Sequence, residues 1–191
     1  MNGNLAYQLE AEEEIIGGKI VMMASPTLNH IFIAGNIYTI FNHYLRGGRC
    51  TPLPDGAALF LDNGEQYKPD MMLVCDPEKL RKKGVYGVPD LVVEVLSPGT
   101  ARNDRGYKKD IYEKNGVREY WIVDPANRAV EQYILENSHF ILRDVYTLYS
   151  SGELDDMTEE ERAAAVMDFK CTLFDDFTIY LKDIFYRVMT D

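Results

Sequence analysis

Residues 89–125 read PDLVVEVLSPGTARNDRGYKKDIYEKNGVREYWIVDP, and the organisation of the chain turns on them. Leu91, Val92, Val93, Val95 and Leu96 form a nearly continuous apolar run between Pro89 and Ser97-Pro98-Gly99. That is the pattern of a strand covered on both faces. Residues 102–115 are polar, offer Asn103 or Asp104 as N-cap and are stopped by Gly116, which predicts a helix. REYWIVDP (118–125) reads as a second strand. Two strands joined by a helical crossover of this length suit a parallel pair.

Within the first strand stands Glu94. Side chains alternate along a strand, so Asp90, Val92, Glu94 and Leu96 share one face. An ionised carboxylate in apolar surroundings is costly unless a cation, a metal or hydrogen bonds offset it. The preceding strand candidate, PDMMLVCD (69–76), opens with a second carboxylate, Asp70, directly after a proline. Two carboxylates brought together on neighbouring strands are a standard way to hold a hard divalent cation such as Mg²⁺. The next helix supplies a positive charge. Asp104, Lys108 and Tyr112 recur at i, i+4 and i+8, roughly on one helical face. If that face looks at the sheet, Lys108 reaches the carboxylates, where it could position a water or stabilise charge on a phosphoryl oxygen. The same residues also admit plainer roles: Glu94 and Lys108 as a structural ion pair, Asp70 and Asp104 as caps, Tyr112 as a packing aromatic, His30 as a satisfied polar residue.

Around this centre, EIIGGKIVMMA predicts a hairpin turning at Gly17-Gly18. Ile31, Ala34, Ile37, Tyr38, Phe41, Tyr44 and Leu45 have helical spacing, with Ser25 or Thr27 to start the helix and Gly47-Gly48 to end it. AALFLD (57–62) is a further strand candidate, AVEQYILE and HFILRDVYTLY alternate as antiparallel strands, and Thr158 with Glu161 makes a capping box before a short acidic helix. DFTIYLKDIFYRV reads as a strand running into a last helix. The expectation is an α/β (α+β) arrangement, a mixed sheet flanked by helices, in one domain spanning 1–191.

The 191 residues are 46% hydrophobic and carry a net charge of −11. The charge is unevenly spread: residues 10–14 hold four carboxylates and residues 153–161 hold six, which leaves the remainder near neutral. Residues 79–83 (KLRKK) carry +4 and residues 100–118 carry +3. The acidity argues against nucleic acid as a partner, and its confinement to two flanks weakens that argument. Cys50, Cys75 and Cys171 are odd in number and widely spaced, which fits a reducing cytoplasm better than a disulfide framework. No signal peptide and no apolar run of membrane-spanning length is readable, so a cytoplasmic location and no membrane partner are expected.

YKPDMMLV together with residues 87–125 closely resembles the Uma-two family of restriction-endonuclease-like proteins, in the PD-(D/E)XK nuclease superfamily. EEEIIGGKIVMMASPTLNH is similar to that family's opening hairpin and His-bearing helix, and TLFDDFTIYLKDIF to its closing strand and helix. The resemblance implies a restriction-endonuclease-like mixed sheet flanked by helices, with an N-terminal hairpin and C-terminal antiparallel strands. It implies Mg²⁺- or Mn²⁺-dependent hydrolysis of DNA phosphodiester bonds, with Asp70, Glu94 and the main-chain carbonyl of Val95 on the metal and Lys108 orienting the water. The superfamily lysine would stand two residues after Glu94, where this chain has Leu96; in this family it looks relocated to Lys108. Glu14 and His30 match recurrent family positions and would line the site, beside Asp104 and Tyr112. Gly17 and Lys19 depart from the family, which commonly has acidic residues there. A homodimer would suit an enzyme that cuts both strands. The alternative function is a non-catalytic member of the same fold that binds nucleic acid or a protein partner.

Overall fold

The computed structural model describes residues 13–23, 25–62 and 64–189. In chain order, β1 (Glu13–Ile16) and β2 (Lys19–Met22) form a hairpin, followed by helix α1 (Leu28–Tyr44). Six strands come next: β3 (Thr51–Pro54), β4 (Leu59–Phe60), β5 (Gln66–Tyr67), β6 (Met71–Val74), β7 (Leu80–Arg81) and β8 (Gly84–Tyr86). Then comes β9 (Leu91–Val95), and the helical crossover consists of α2 (Ala101–Asn103), a π-helical turn (Asp104–Lys108) and α3 (Lys109–Asn115). The chain continues through β10 (Glu119–Asp124), β11 (Ala129–Glu136) and β12 (His139–Thr147), then short helices α4 (Ser151–Asp155) and α5 (Glu159–Ala164). It closes with β13 (Asp168–Lys170), β14 (Thr178–Tyr180) and α6 (Leu181–Ile184).

The central sheet has the order β12-β11-β10-β9-β6-β3. Only β9 and β10 run parallel in it, with Leu91 opposite Glu119 and Glu94 opposite Ile122, as expected from the crossover between them. A second sheet, β2-β1-β5-β4-β8-β7, and the β13-β14 hairpin complete the strand content of the described residues. On one face of the central sheet, α1 contributes Ile33, Ala34, Ile37 and Phe41 to a core shared with Val93, Val95 and Trp121. Phe41 lies 5.6 Å from Trp121 and meets Phe177 edge-on at 5.0 Å. On the other face, Val92 and Leu96 pack with Tyr112, Tyr120 and strands of the second sheet. All five residues of β9 are buried. Cover on both sides is why this strand shows no polar alternation.

Thr27 caps α1, its hydroxyl accepting from the His30 N–H at 3.3 Å. Gly116 ends α3 at φ +85°, a conformation open to glycine without a Cβ penalty. The expected start of the crossover helix needs correction: its first residue is Ala101, after Thr100, so Asn103 and Asp104 lie inside the helix. The candidate strand 57–62 shrinks to Leu59–Phe60. The acidic segment forms two short helices, each with a capping box: Ser150 with Glu153, and Thr158 with Glu161.

The cysteine reading also needs correction. Cys50 and Cys75 form a disulfide, while Cys171 is free and buried. Antiparallel pairing sets Thr51 opposite Val74, so the residues just outside that pair meet despite a sequence separation of 25. Among the described residues no helix is long and apolar enough to cross a membrane.

Candidate active site

Glu94 sits at the fourth position of β9, is 3% exposed, and lies on the face of Val92 and Leu96. Its Oε1 accepts a hydrogen bond from the Tyr112 hydroxyl at 2.9 Å and another from Lys108 Nζ at 3.2 Å. Lys108 is itself 1% exposed, and its ammonium also lies 3.0 Å from Glu14 Oε1 and 3.6 Å from Asp104 Oδ1. Three carboxylates from three elements thus converge on one lysine. Asp70 stands just before β6, one step beyond the pair Met71–Val93, which brings it level with Glu94 on the neighbouring strand. Its Oδ2 accepts the Val95 N–H at 2.6 Å and lies 3.2 Å from His30 Nε2. The structure therefore gathers Glu14, His30, Asp70, Glu94, Val95, Asp104, Lys108 and Tyr112 into one connected set.

The backbone explains how they meet. Asp104–Lys108 is a π-helical turn with Gly106 inside it. Such a widened turn interrupts regular helix and often marks a functional position. It turns Asp104 and Lys108 inward, while Arg105 and Tyr107 remain partly exposed. Tyr107 donates to Glu65 Oε1 at 2.7 Å, and the same oxygen accepts the Gly17 N–H at 2.8 Å. Tyr67 donates to the other Glu65 oxygen. These bonds pin the tip of the β1–β2 hairpin to the π turn, and so carry Glu14 to Lys108. Glu14 Oε1 also accepts the Lys68 N–H at 2.8 Å. Gly17 has φ +60°, and a Cβ there would come within 3.6 Å of the Tyr107 hydroxyl. Sequence reasoning missed Glu65, Tyr107 and Tyr120, whose hydroxyl donates to the Asp104 carbonyl at 2.9 Å. The bonds Gly17–Glu65, Tyr107–Glu65 and Tyr120–Asp104 span 16 to 48 residues, and no spacing rule marks them.

Negative charge exceeds positive charge in this cluster. Burial pushes Glu94 well above the usual carboxyl range; Lys108 opposes that, and Asp104, Asp70 and Glu14 add to it. Asp104 is raised for the same reason, with Lys108 and a bond to Thr100 pulling the other way. Burial alone would lower Lys108, yet Glu94, Glu14 and Asp104 together hold it above an ordinary lysine. His30 is likewise raised: its bond to Asp70 and that carboxylate's charge outweigh burial. All four of these groups hold protons more tightly than in water, the signature of a site short of positive charge. Glu14 Oε2, Asp104 Oδ1 and His30 Nδ1 are buried without a hydrogen-bond partner.

Among the described residues, no three His, Cys, Asp or Glu side chains are grouped as a metal-ligand set. Lys108 occupies the point where Glu14, Glu94 and Asp104 meet. The donors that fit a metal are Asp70 and Glu94 with the neighbouring main chain at Val95, all oxygen. Mg²⁺ commonly uses only one or two carboxylates and takes its other ligands from water and substrate oxygens. The surplus negative charge of the cluster fits the same group.

Leu96, at the position of the missing strand lysine, is buried, with its N–H bonded to the Val123 carbonyl at 2.8 Å. Lys108, the lysine bonded to Glu94, comes from the crossover helix. Residues 6–166 match the Uma2 family, described as "Putative restriction endonuclease". The chain belongs to the Uma2 family. This Uma2 protein is 32% identical over 124 residues to the uncharacterized protein slr1290 of Synechocystis sp., an alignment covering 64% of this chain and 65% of that relative. The chain thus spans about two-thirds of the length of the curated relative it matches. In structure it is similar to a crystal structure described as "a putative nuclease belonging to DUF820" from Anabaena variabilis. That match has a TM-score of 0.65 and 15% identity, and covers 94% of this chain and 93% of the other. The Uma2 chain therefore has the restriction-endonuclease-like fold expected of it, a mixed sheet flanked by helices.

Proposed function

We propose that this Uma2 protein is a Mg²⁺- or Mn²⁺-dependent endonuclease that hydrolyses phosphodiester bonds of DNA. The observation that carries this reading is the buried convergence of Lys108 on Glu94, Glu14 and Asp104, beside Asp70. Asp70, Glu94 and the Val95 carbonyl would hold the cation, which when bound would supply Lewis-acid stabilisation of charge on the phosphate. Lys108 stays protonated at neutral pH because three carboxylates raise its proton affinity. It therefore acts as a hydrogen-bond donor and positive charge, orienting the attacking water or stabilising a phosphoryl oxygen, and not as a base. Tyr112 and Glu14 hold Lys108 and Glu94 in place. His30, raised by Asp70, steadies the other side of the cluster.

The test is plasmid nicking in Mg²⁺ or Mn²⁺ with Glu94→Gln and Lys108→Ala, each checked for folding by circular dichroism. Each substitution is expected to lower the rate by about 10²- to 10³-fold. Equal nicking by all three proteins would sink the assignment. Nucleic-acid binding without nicking by the wild type would favour the non-catalytic reading.

A further inference from the structure

A cavity of about 960 Å³ opens beside the cluster on the far side of the turn 97–100. Its walls include sequence neighbours of the site: Asn29 precedes His30, Leu96 follows Val95, and Arg105 follows Asp104. A smaller opening of about 90 Å³ on the other side is lined by Glu14, Asp104 and Lys108 themselves. The larger groove lies where the parallel strands β9 and β10 end, the place where sheets with parallel strands commonly receive ligands.

Two arginines border this groove, and carboxylates occupy both. Arg105 lies 2.7 Å from Glu131 and 3.4 Å from Asp124. Arg128 is ion-paired with Glu153 of α4. The turn that presents Arg128 is well defined, with Asp124 Oδ1 accepting the N–H groups of Ala126 and Asn127 at 3.0 and 3.2 Å. The partners of the two arginines differ in how they are anchored. Asp124 and Glu131 belong to the central sheet, whereas α4 and α5 have five and six residues and bury none of them. Isolated helices so short are marginal in water, and an exposed ion pair adds little. This segment is also the acidic one, with six carboxylates between residues 153 and 161.

We propose that the α4–α5 segment is a displaceable acidic strap: Glu153 holds Arg128 where a phosphate of a bound DNA strand would sit, so the strap competes with DNA for the groove. This rests on the nuclease reading above and adds a built-in competitor to it. It accounts for a groove that adjoins the site and yet presents its arginines already neutralised. Hydrogen bonds from Ser150, with Arg128 adding to them, hold the Glu153 carboxyl down to about 2, so Glu153 keeps its charge across the ordinary pH range.

The experiment measures binding of a fluorescein-labelled DNA duplex by anisotropy, at low salt and without divalent cations, with plasmid nicking assayed in parallel. Glu153→Gln is a clean variant because glutamine keeps the capping box with Ser150. It is expected to bind about three- to fivefold tighter than wild type, and Glu153→Gln/Asp155→Asn/Asp156→Asn about tenfold tighter. Adding Arg128→Gln should cancel the gain, because the site of competition is then gone. Equal binding by wild type and both strap variants overturns the strap, as does a gain that survives Arg128→Gln or no binding by any of them. If the plasmid is still nicked in those cases, the nuclease reading stands alone. Tighter binding by the strap variants with no nicking by any protein supports the strap and overturns the catalytic reading.

Discussion

Lys108 Nζ lies 3.2 Å from Glu94 Oε1 across a separation of 14 residues, with the lysine on a π-helical turn and the glutamate on the central strand β9. Both groups are buried and both are shifted toward their protonated forms. The pair is thus part of a cluster with surplus negative charge, and opposite effects on stability are expected of its two members.

Glu94→Gln should stabilise the protein at pH 8, on the order of 1 kcal/mol, whereas Lys108→Met should destabilise it by about 3–5 kcal/mol. The first removes a carboxylate that burial disfavours, and the second leaves three carboxylates without their shared cation. Urea unfolding of the two variants checks the opposite signs. Destabilisation by both would mean that Glu94 and Lys108 form an ordinary balanced pair.

Stability should fall as the pH rises from 5 to 8. The folded values of Glu94 and Asp104 are raised, so their contribution is complete below their unfolded values near pH 4 and is lost as the pH climbs through the raised ones. His30 acts in the same direction, contributing fully below about pH 6.5 and losing that contribution as the pH passes its raised value. Lys108 is raised from a higher starting point, so its contribution is constant between pH 5 and 8. Unfolding midpoints across that window should slope downward in wild type and less steeply in Glu94→Gln. Parallel slopes would show that Glu94 titrates as it does in the unfolded chain.

Mg²⁺ or Mn²⁺ should raise thermal stability in the absence of any substrate. At ten times the dissociation constant the gain is about 1.4 kcal/mol. Asp70→Asn and Glu94→Gln should each reduce it, and thermal melts with and without chelator measure the difference. An undiminished gain in both variants would place the metal elsewhere.

Glu119 offers a contrast with Glu94, because it is fully buried and bonded by neutral donors. It accepts from Trp121 Nε1 and Gln132 Nε2, each at 2.6 Å, and from the N–H of Thr172 at 2.9 Å and its hydroxyl. These bonds tie the end of β13 to β10 and β11. Glu119→Ala leaves the donors unpaired and should cost about 3 kcal/mol. Hydrogen exchange should then show the β13–β14 hairpin opening first; uniform protection loss would contradict the tie.

The Cys50–Cys75 disulfide closes a loop of 25 residues, and its reduction should lower stability by about 3 kcal/mol. Under native conditions, iodoacetamide should label both cysteines only after reduction. Cys171, buried against Glu119, should stay unlabelled until the protein unfolds. Two labels on unreduced native protein would rule the bond out.

Much of this was legible locally. The hairpin at Gly17-Gly18, the Thr27-capped helix, the strand around Glu94 and the stop at Gly116 follow from turn chemistry, capping and apolar runs, which act over a few residues. The spacing of Asp104, Lys108 and Tyr112 placed them roughly on one helical face, and left open whether that face looks at the sheet. The second sheet was not legible, because β4, β5 and β7 have only two residues each and owe their existence to their neighbours. The same holds for the disulfide, which depends on the register of β3 against β6.

By itself, the sequence determined which residue types carry charge into apolar surroundings: Asp70 before a strand, Glu94 inside one, and Lys108 on the helix between two strands. Only the tertiary structure decided that Glu14 and Asp104 share Lys108 with Glu94, that Tyr107 and Glu65 bring the hairpin to it, and that Glu153 covers Arg128. Alternation and helical period act along the chain, whereas burial and Coulomb energy depend on distances through space, which only the folded chain sets.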